Sequence, residues 1–165
     1  MTTTPLLWQP SPERIETANI TAFARSIGAQ AGIEFGAGIA GYEALWRWSI
    51  GHPEAFWRAL WDFTGVVGER GERILVDGDR MPGARWFPDA RLNFAENLLT
   101  RRPADDVGDA LIFRDEDKAD RRVSHAALVA EVSRVGAALD ALGIRAGDRV
   151  AAYIPNMPEA AIAML

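Results

Sequence analysis

Residues 148–165 constrain the fold more than any other stretch of the chain. They read Asp148-Arg-Val-Ala-Ala-Tyr-Ile-Pro-Asn-Met-Pro-Glu-Ala-Ala-Ile-Ala-Met-Leu165: a short apolar run, a turn with two prolines, and the opening of a helix. The run Arg149–Ile154 has the length and polarity of a strand buried on both faces. Asn156 is placed to cap the next helix, Pro158 suits its first turn, and Glu159 stands three residues after that cap. A buried parallel strand needs a crossover helix and a second strand beside it. The sequence is therefore expected to be the front of a longer α/β protein, truncated within this unit.

Composition excludes several classes. The 165 residues suffice for one ordinary domain, and a hydrophobic content of 48% supports a core. A net charge of −5 gives no basic footprint for nucleic acid. With no Cys, these residues supply no disulfide, thiolate metal ligand or Cys nucleophile. Met1-Thr-Thr-Thr-Pro5 lacks the basic and apolar regions of a signal peptide. No apolar stretch approaches the ~20 residues of a membrane span. The expected setting is cytoplasmic, with neither nucleic acid nor membrane as partner.

Two halves differ in character. Residues 1–100 read as helical and aromatic, and residues 108–165 as strand–helix–strand–helix. A first helix is predicted over Pro12–Ile27, with Ser11 as cap, Pro12 in its first position and Gly28 as a left-handed stop. Two more are predicted over Tyr42–Ile50 and Pro53–Val66, split by Gly51-His52-Pro53. Residues 68–91 read as an irregular loop and Asn93–Thr100 as a short helix. Ala110–Arg114 and Arg121–Val123 read as the arms of a hairpin around a charged turn. Ser124 then caps a helix to Leu142, whose Leu128, Val132, Val135, Leu139 and Leu142 fall on one face.

Each motif that could carry chemistry has a plainer reading. Gly36-Ala-Gly38-Ile-Ala-Gly41 matches the dinucleotide pattern, which works when a strand delivers a tight turn onto a helix N-terminus. Ala31–Phe35 is a poor strand, so a Gly-rich loop is the expectation. Trp46, Trp48, Trp57 and Trp61 are expected to be core, as large aromatics at helical spacing usually are. His52 and His125 have no spaced metal-ligating partner and are expected at the surface. Asp77/Asp79, Asp105/Asp106 and Asp115/Glu116/Asp117 read as solvated turns, because the calcium-loop spacing is not met. No P-loop, nucleophile elbow or Ser/Thr/Gly-rich phosphate loop occurs.

Longer blocks carry a resemblance. Tyr42-Glu-Ala-Leu-Trp-Arg-Trp-Ser49 and Pro53-Glu-Ala-Phe-Trp-Arg-Ala-Leu-Trp-Asp-Phe63 resemble the amino-terminal cap of acyl-CoA synthetases of the acetyl-CoA synthetase type. Trp86-Phe-Pro-Asp-Ala-Arg-Leu-Asn-Phe-Ala-Glu-Asn-Leu-Leu99 resembles that family's signature before its main domain. Its Phe-Ala-Glu-Asn-Leu-Leu ending, with Leu7-Trp8-Gln-Pro-Ser-Pro-Glu-Arg-Ile15, is most similar to the acetoacetyl-CoA synthetase (acetoacetate–CoA ligase) branch. Gly147–Glu159 resembles the first strand–turn–helix of the adenylate-forming domain across the superfamily. Asp89 stands where the family usually has Gly, and His125 where an aromatic residue usually follows the Ser or Thr.

The resemblance implies an α/β fold: a helical, Trp-rich cap over residues 1–100, then the incomplete start of an AMP-binding domain over 101–165. It implies a parent enzyme that uses ATP, Mg²⁺ and CoA to activate a small-molecule acid. Acetoacetate is the first choice of acid, with acetate or propionate on the same fold as the alternative. A non-catalytic interaction module is a third reading. The family's phosphate loop, adenine motif, hinge and carboxy-terminal lysine match nothing here, so no catalytic, cofactor-binding or metal residue is assigned. The expected partner is the remainder of the same polypeptide. Alone, the chain is expected to be inactive and to self-associate or fray beyond about Asp148, because an unpaired apolar strand is a template for another chain.

Overall fold

A computed structural model of the chain describes residues 7–31, 34–36, 38–103, 106–116 and 120–165. The chain divides into two compact units, Met1–Arg91 and Leu92–Leu165.

The first unit is built from helices α1 (Pro12–Glu16), α2 (Asn19–Ala31), α3 (Gly38–Gly51) and α4 (Pro53–Thr64). Ser11 caps α1, its hydroxyl accepting from the Arg14 N–H at 3.2 Å. The single helix predicted over Pro12–Ile27 is two. Thr17 Oγ1 donates to the Glu13 carbonyl at 2.9 Å and Thr21 Oγ1 to the Ile15 carbonyl at 2.6 Å. Side-chain hydroxyls that bond local carbonyls compete with the helix ladder, and the break falls at Thr17-Ala18. Gly28 is no stop: α2 continues through it to Ala31. Burial explains the difference, since Ile27, 2% exposed, anchors that turn in the core.

Phe23, Ile27 and Leu45 form this core, with Trp48, Phe56 and Leu60 packed against it. Phe23 meets the Phe56 ring edge-on at 5.6 Å and the Phe63 ring at 5.1 Å, geometries that aromatic quadrupoles favour. Gly65 ends α4 in the left-handed conformation at φ 60°, and the Val66 N–H reaches back to the Trp61 carbonyl at 3.3 Å. The following loop closes through paired bonds of 2.8 Å between Glu69 and Arg91. Inside it, β1 (Leu75–Val76) and β2 (Arg85–Trp86) pair antiparallel. Ile74, 1% exposed, anchors the loop.

The second unit comprises α5 (Phe94–Leu99), β3 (Asp109–Arg114), β4 (Asp120–Ser124), α6 (His125–Ala141) and α7 (Pro158–Met164). Asn93 caps α5, its Oδ1 accepting from Glu96 N–H at 3.0 Å. Ser124 caps α6 in the same way from Ala127 at 3.2 Å. β3 and β4 form the expected hairpin, with Leu111 opposite Val123 and an irregularity between Asp109 and Leu111. Leu128 of α6 and Ile162 of α7 are the buried aliphatic residues among those described in this unit. Gly143 turns the chain out of α6 at φ 80°.

Two expectations fail at the end of the chain. Arg149–Ile154 is not a buried strand: Val150 and Ile154 are exposed, and Tyr153 fully so. A strand exists only through a ladder with a neighbour, and among the described residues none pairs with this run. Asn156 does not cap α7 either. The cap position is Met157, without a side-chain bond, and Pro158 takes the first position. Glu159 instead pairs with Arg121 of β4 at 2.8 Å.

Candidate functional site

The Gly36–Gly41 pattern lies at the start of α3, and part of it, Ala37, lies outside the described residues. Residues 34–36 have no regular structure, so among the described residues no strand leads into the pattern to aim it at a pyrophosphate. Gly41 has a different reason to be glycine: a Cβ there would collide with the Gly36 carbonyl oxygen. Close backbone approach accounts for it.

The tryptophans are not the core they were expected to be. Trp46 and Trp57 are exposed, at 52% and 39%, and Trp48 and Trp61 are half-buried. The buried centre is Phe23, Ile27 and Leu45. Trp57 instead meets Trp86 at 5.4 Å and Trp61 meets Phe87 at 4.9 Å, so α4 uses its indoles to receive the 68–91 loop. Helical spacing identified a shared face, but indoles too large to withdraw fully serve as its rim.

The histidines divide. His52 stands at the start of α4 and stacks on Trp48 at 6.1 Å. His125 is not a surface residue: it is 4% exposed, and its Nε2 lies 3.0 Å from the Leu99 carbonyl oxygen. A carbonyl only accepts, so Nε2 carries the proton. The replacement of an aromatic residue by His at this position was the available sequence signal for a buried polar ring.

Of the predicted carboxylate clusters, Asp77 and Asp106 each pair with arginine. Asp77, at φ 56°, faces Arg85 at 3.3 Å and Arg80 at 3.8 Å. Asp106 accepts from the Gly108 N–H at 2.7 Å and pairs with Arg102 at 2.5 Å. Asp105 and Asp117 lie outside the described residues. Asp89 receives both Nε and NH2 of Arg73, and that hydrogen bonding holds its carboxyl below the usual carboxylate range. Among the described residues no group of three or more His, Asp or Glu could hold a metal.

Each unit carries one notable groove. In the first, Ile27, Trp48, Ala59, Glu54, Arg58 and Asp62 line about 450 Å³. In the second, about 540 Å³ lie among Val132, Val135, Leu139, Val150, Ala152 and Met164. The first has one cationic side chain between two carboxylates and the second has none. Neither has the convergent cations that a triphosphate demands. No described helix is long and apolar enough to cross a membrane.

Comparison with known proteins supplies what the grooves do not. Residues 42–98 match the family described as acetyl-coenzyme A synthetase N-terminus, and residues 100–165 match the AMP-binding enzymes. The chain is 50% identical to an acetoacetyl-coenzyme A synthetase of Rhizobium meliloti over 96% of its residues and 23% of that protein. It is 38% identical to an acetyl-coenzyme A synthetase of Deinococcus radiodurans over 75% of its residues and 19% of that protein. Among solved structures, an acetoacetyl-CoA synthetase from Streptomyces lividans superposes with a TM-score of 0.79 at 38% identity, over 98% of this chain and 24% of that one. The chain thus spans about a quarter of the length of the relatives it matches.

Proposed function

Because the chain belongs to the AMP-binding enzymes that carry an acetyl-coenzyme A synthetase N-terminus, we propose that it is the amino-terminal portion of an acid–thiol ligase acting on acetoacetate. The observation that carries this reading is the 50% identity to the R. meliloti acetoacetyl-coenzyme A synthetase across nearly the whole chain. In the proposed reaction a carboxylate oxygen of acetoacetate attacks the α-phosphorus of ATP, and pyrophosphate leaves. The CoA thiol then attacks the acyl carbon, gives up its proton, and AMP leaves. Mg²⁺ bound with ATP would offset charge in the first step.

In this reading no residue of this chain holds ATP, Mg²⁺ or CoA, which is supported by the lack of gathered cations in either groove and of a group of three or more His, Asp or Glu among the described residues. No step is assigned to any of them. In this reading residues 1–100 act as the cap and 101–165 as the start of the nucleotide domain, in a cytoplasmic enzyme. Its partner is the rest of the polypeptide. Without that partner, the bare run Arg149–Ile154 drives self-association or stays frayed.

A chimera tests the reading. This chain replaces the matching portion of the R. meliloti enzyme, and pyrophosphate release is followed with ATP, Mg²⁺, CoA and each acid. The chimera is expected to keep the turnover of acetoacetate, and the isolated chain to turn over neither acid. Turnover by the isolated chain would move the active site into these residues. Turnover in the matching chimera of the D. radiodurans acetyl-coenzyme A synthetase but not in this one would favour the second reading, which the 38% identity to that enzyme supports.

A further inference from the structure

We propose that His125 is a positioning pin that fastens α5 to the start of α6, so that α5 is built as part of the second unit. The two matched families meet between residues 98 and 100, whereas the division between units falls earlier, at Arg91 and Leu92. Something must hold α5 on the later side.

Six residues are too few for a helix to stand alone. The last carbonyls of a helix have no partner within it. The Leu99 carbonyl finds one 26 residues further along, in the buried His125 imidazole. The pin itself sits on a rigid mount. Its backbone N–H donates to the Gly108 carbonyl at 2.9 Å, and the next N–H, of Ala126, to the Asp106 carbonyl at 2.9 Å. Ser124 caps the same turn. Asp106 in turn holds Gly108 N–H and Arg102. Leu99, Arg102, Asp106 and Gly108 are thereby tied to one turn of α6. The Phe94–Leu99 half of the Trp86–Leu99 block thus belongs structurally with the second unit.

Amide hydrogen exchange on the full chain tests this with two variants. His125→Phe keeps a ring but loses the donor. His125→Gln offers an N–H at similar reach. In His125→Phe, the Asn97 and Thr100 amides, which bond Asn93 and Glu96 within α5, should exchange about tenfold faster or more, as for a buried acceptor left unpaired. Amides of Val132–Leu139 should change less than about threefold, and His125→Gln should bring α5 back to within about threefold of the parent. Unchanged α5 exchange, an equal rise along α6, or no rescue by Gln would each overturn the pin. If His125→Phe does not fold, the parent chain decides. Thr100 should be protected to within about tenfold of Leu128, and free exchange at Thr100, as in a fraying helix, would overturn the proposal.

Discussion

Phe23, Ile27 and Leu45 are 5%, 2% and 6% exposed in the first unit, whereas the largely apolar Val150, Tyr153 and Ile154 stand 61%, 105% and 46% exposed in the second. The contrast comes from the backbone. A helix satisfies its own N–H and C=O groups, so α2, α3 and α4 need only bring apolar stripes together. An extended run must borrow its hydrogen bonds from a neighbour, and burial without one leaves polar groups unpaired. The first unit can therefore close on itself, while 149–154 lies exposed without a ladder among the described residues.

Four measurements would break or sharpen that contrast. The largest effect is expected from Phe23→Ala, which should cost about 3–5 kcal/mol, as for other buried aromatics. All six tryptophans lie in the first unit, so indole fluorescence during denaturation reads that unit alone. An unmoved fluorescence midpoint would mean that Phe23 is not its centre. Trp57→Ala should cost less, about 1–2 kcal/mol, because the indole is 39% exposed and loses mainly its contact with Trp86. A cost matching Phe23→Ala would restore the indoles to the core.

Acid should act on both units, more weakly. The carboxyls of Glu16, Asp89 and Glu159 are lowered by hydrogen bonds from Arg25, Arg73 and Arg121. A depressed carboxyl contributes stability that is complete above its ordinary value, 3.8 for Asp89 and 4.5 for the two Glu, and is lost as pH falls through the folded value. These pairs are exposed, so each contributes little. Asp89→Asn should flatten part of the acid loss in the fluorescence midpoint, and an unchanged pH profile would remove the Arg73 pair from the account. The smallest effect belongs to Tyr153→Ser, within about 0.5 kcal/mol, since the ring touches little. A loss above about 1 kcal/mol by far-ultraviolet dichroism would show that the run is paired in solution.

Local chemistry was legible in the sequence, and long-range completion was not. Ser11 and Ser124 were readable as caps because a cap bond spans three residues; Asn93, read as the first residue of its helix, is also a cap. The hairpin over 109–124 was readable because its strands alternate around a charged turn. Gly28 misled because Ile27 burial outweighs the preference for a stop. Asn156 misled because Met157, not Asn156, takes the cap position. His125 misled because its acceptor lies on another helix, 26 residues away. The family resemblance rested on whole blocks and held for both regions. The same blocks name no site residue, since the family's phosphate loop, adenine motif, hinge and carboxy-terminal lysine match nothing in them.

The tight approach at Gly41 bears on how tolerance to substitution is interpreted. A scan of every amino acid at this position should reject even alanine, since its methyl group would collide with the Gly36 carbonyl. Position 41 would then look as intolerant as a reacting residue while touching no ligand. Deleteriousness at such a position measures crowding of main chain on main chain, and a map of sensitive positions in this chain would mark architecture before it marked chemistry.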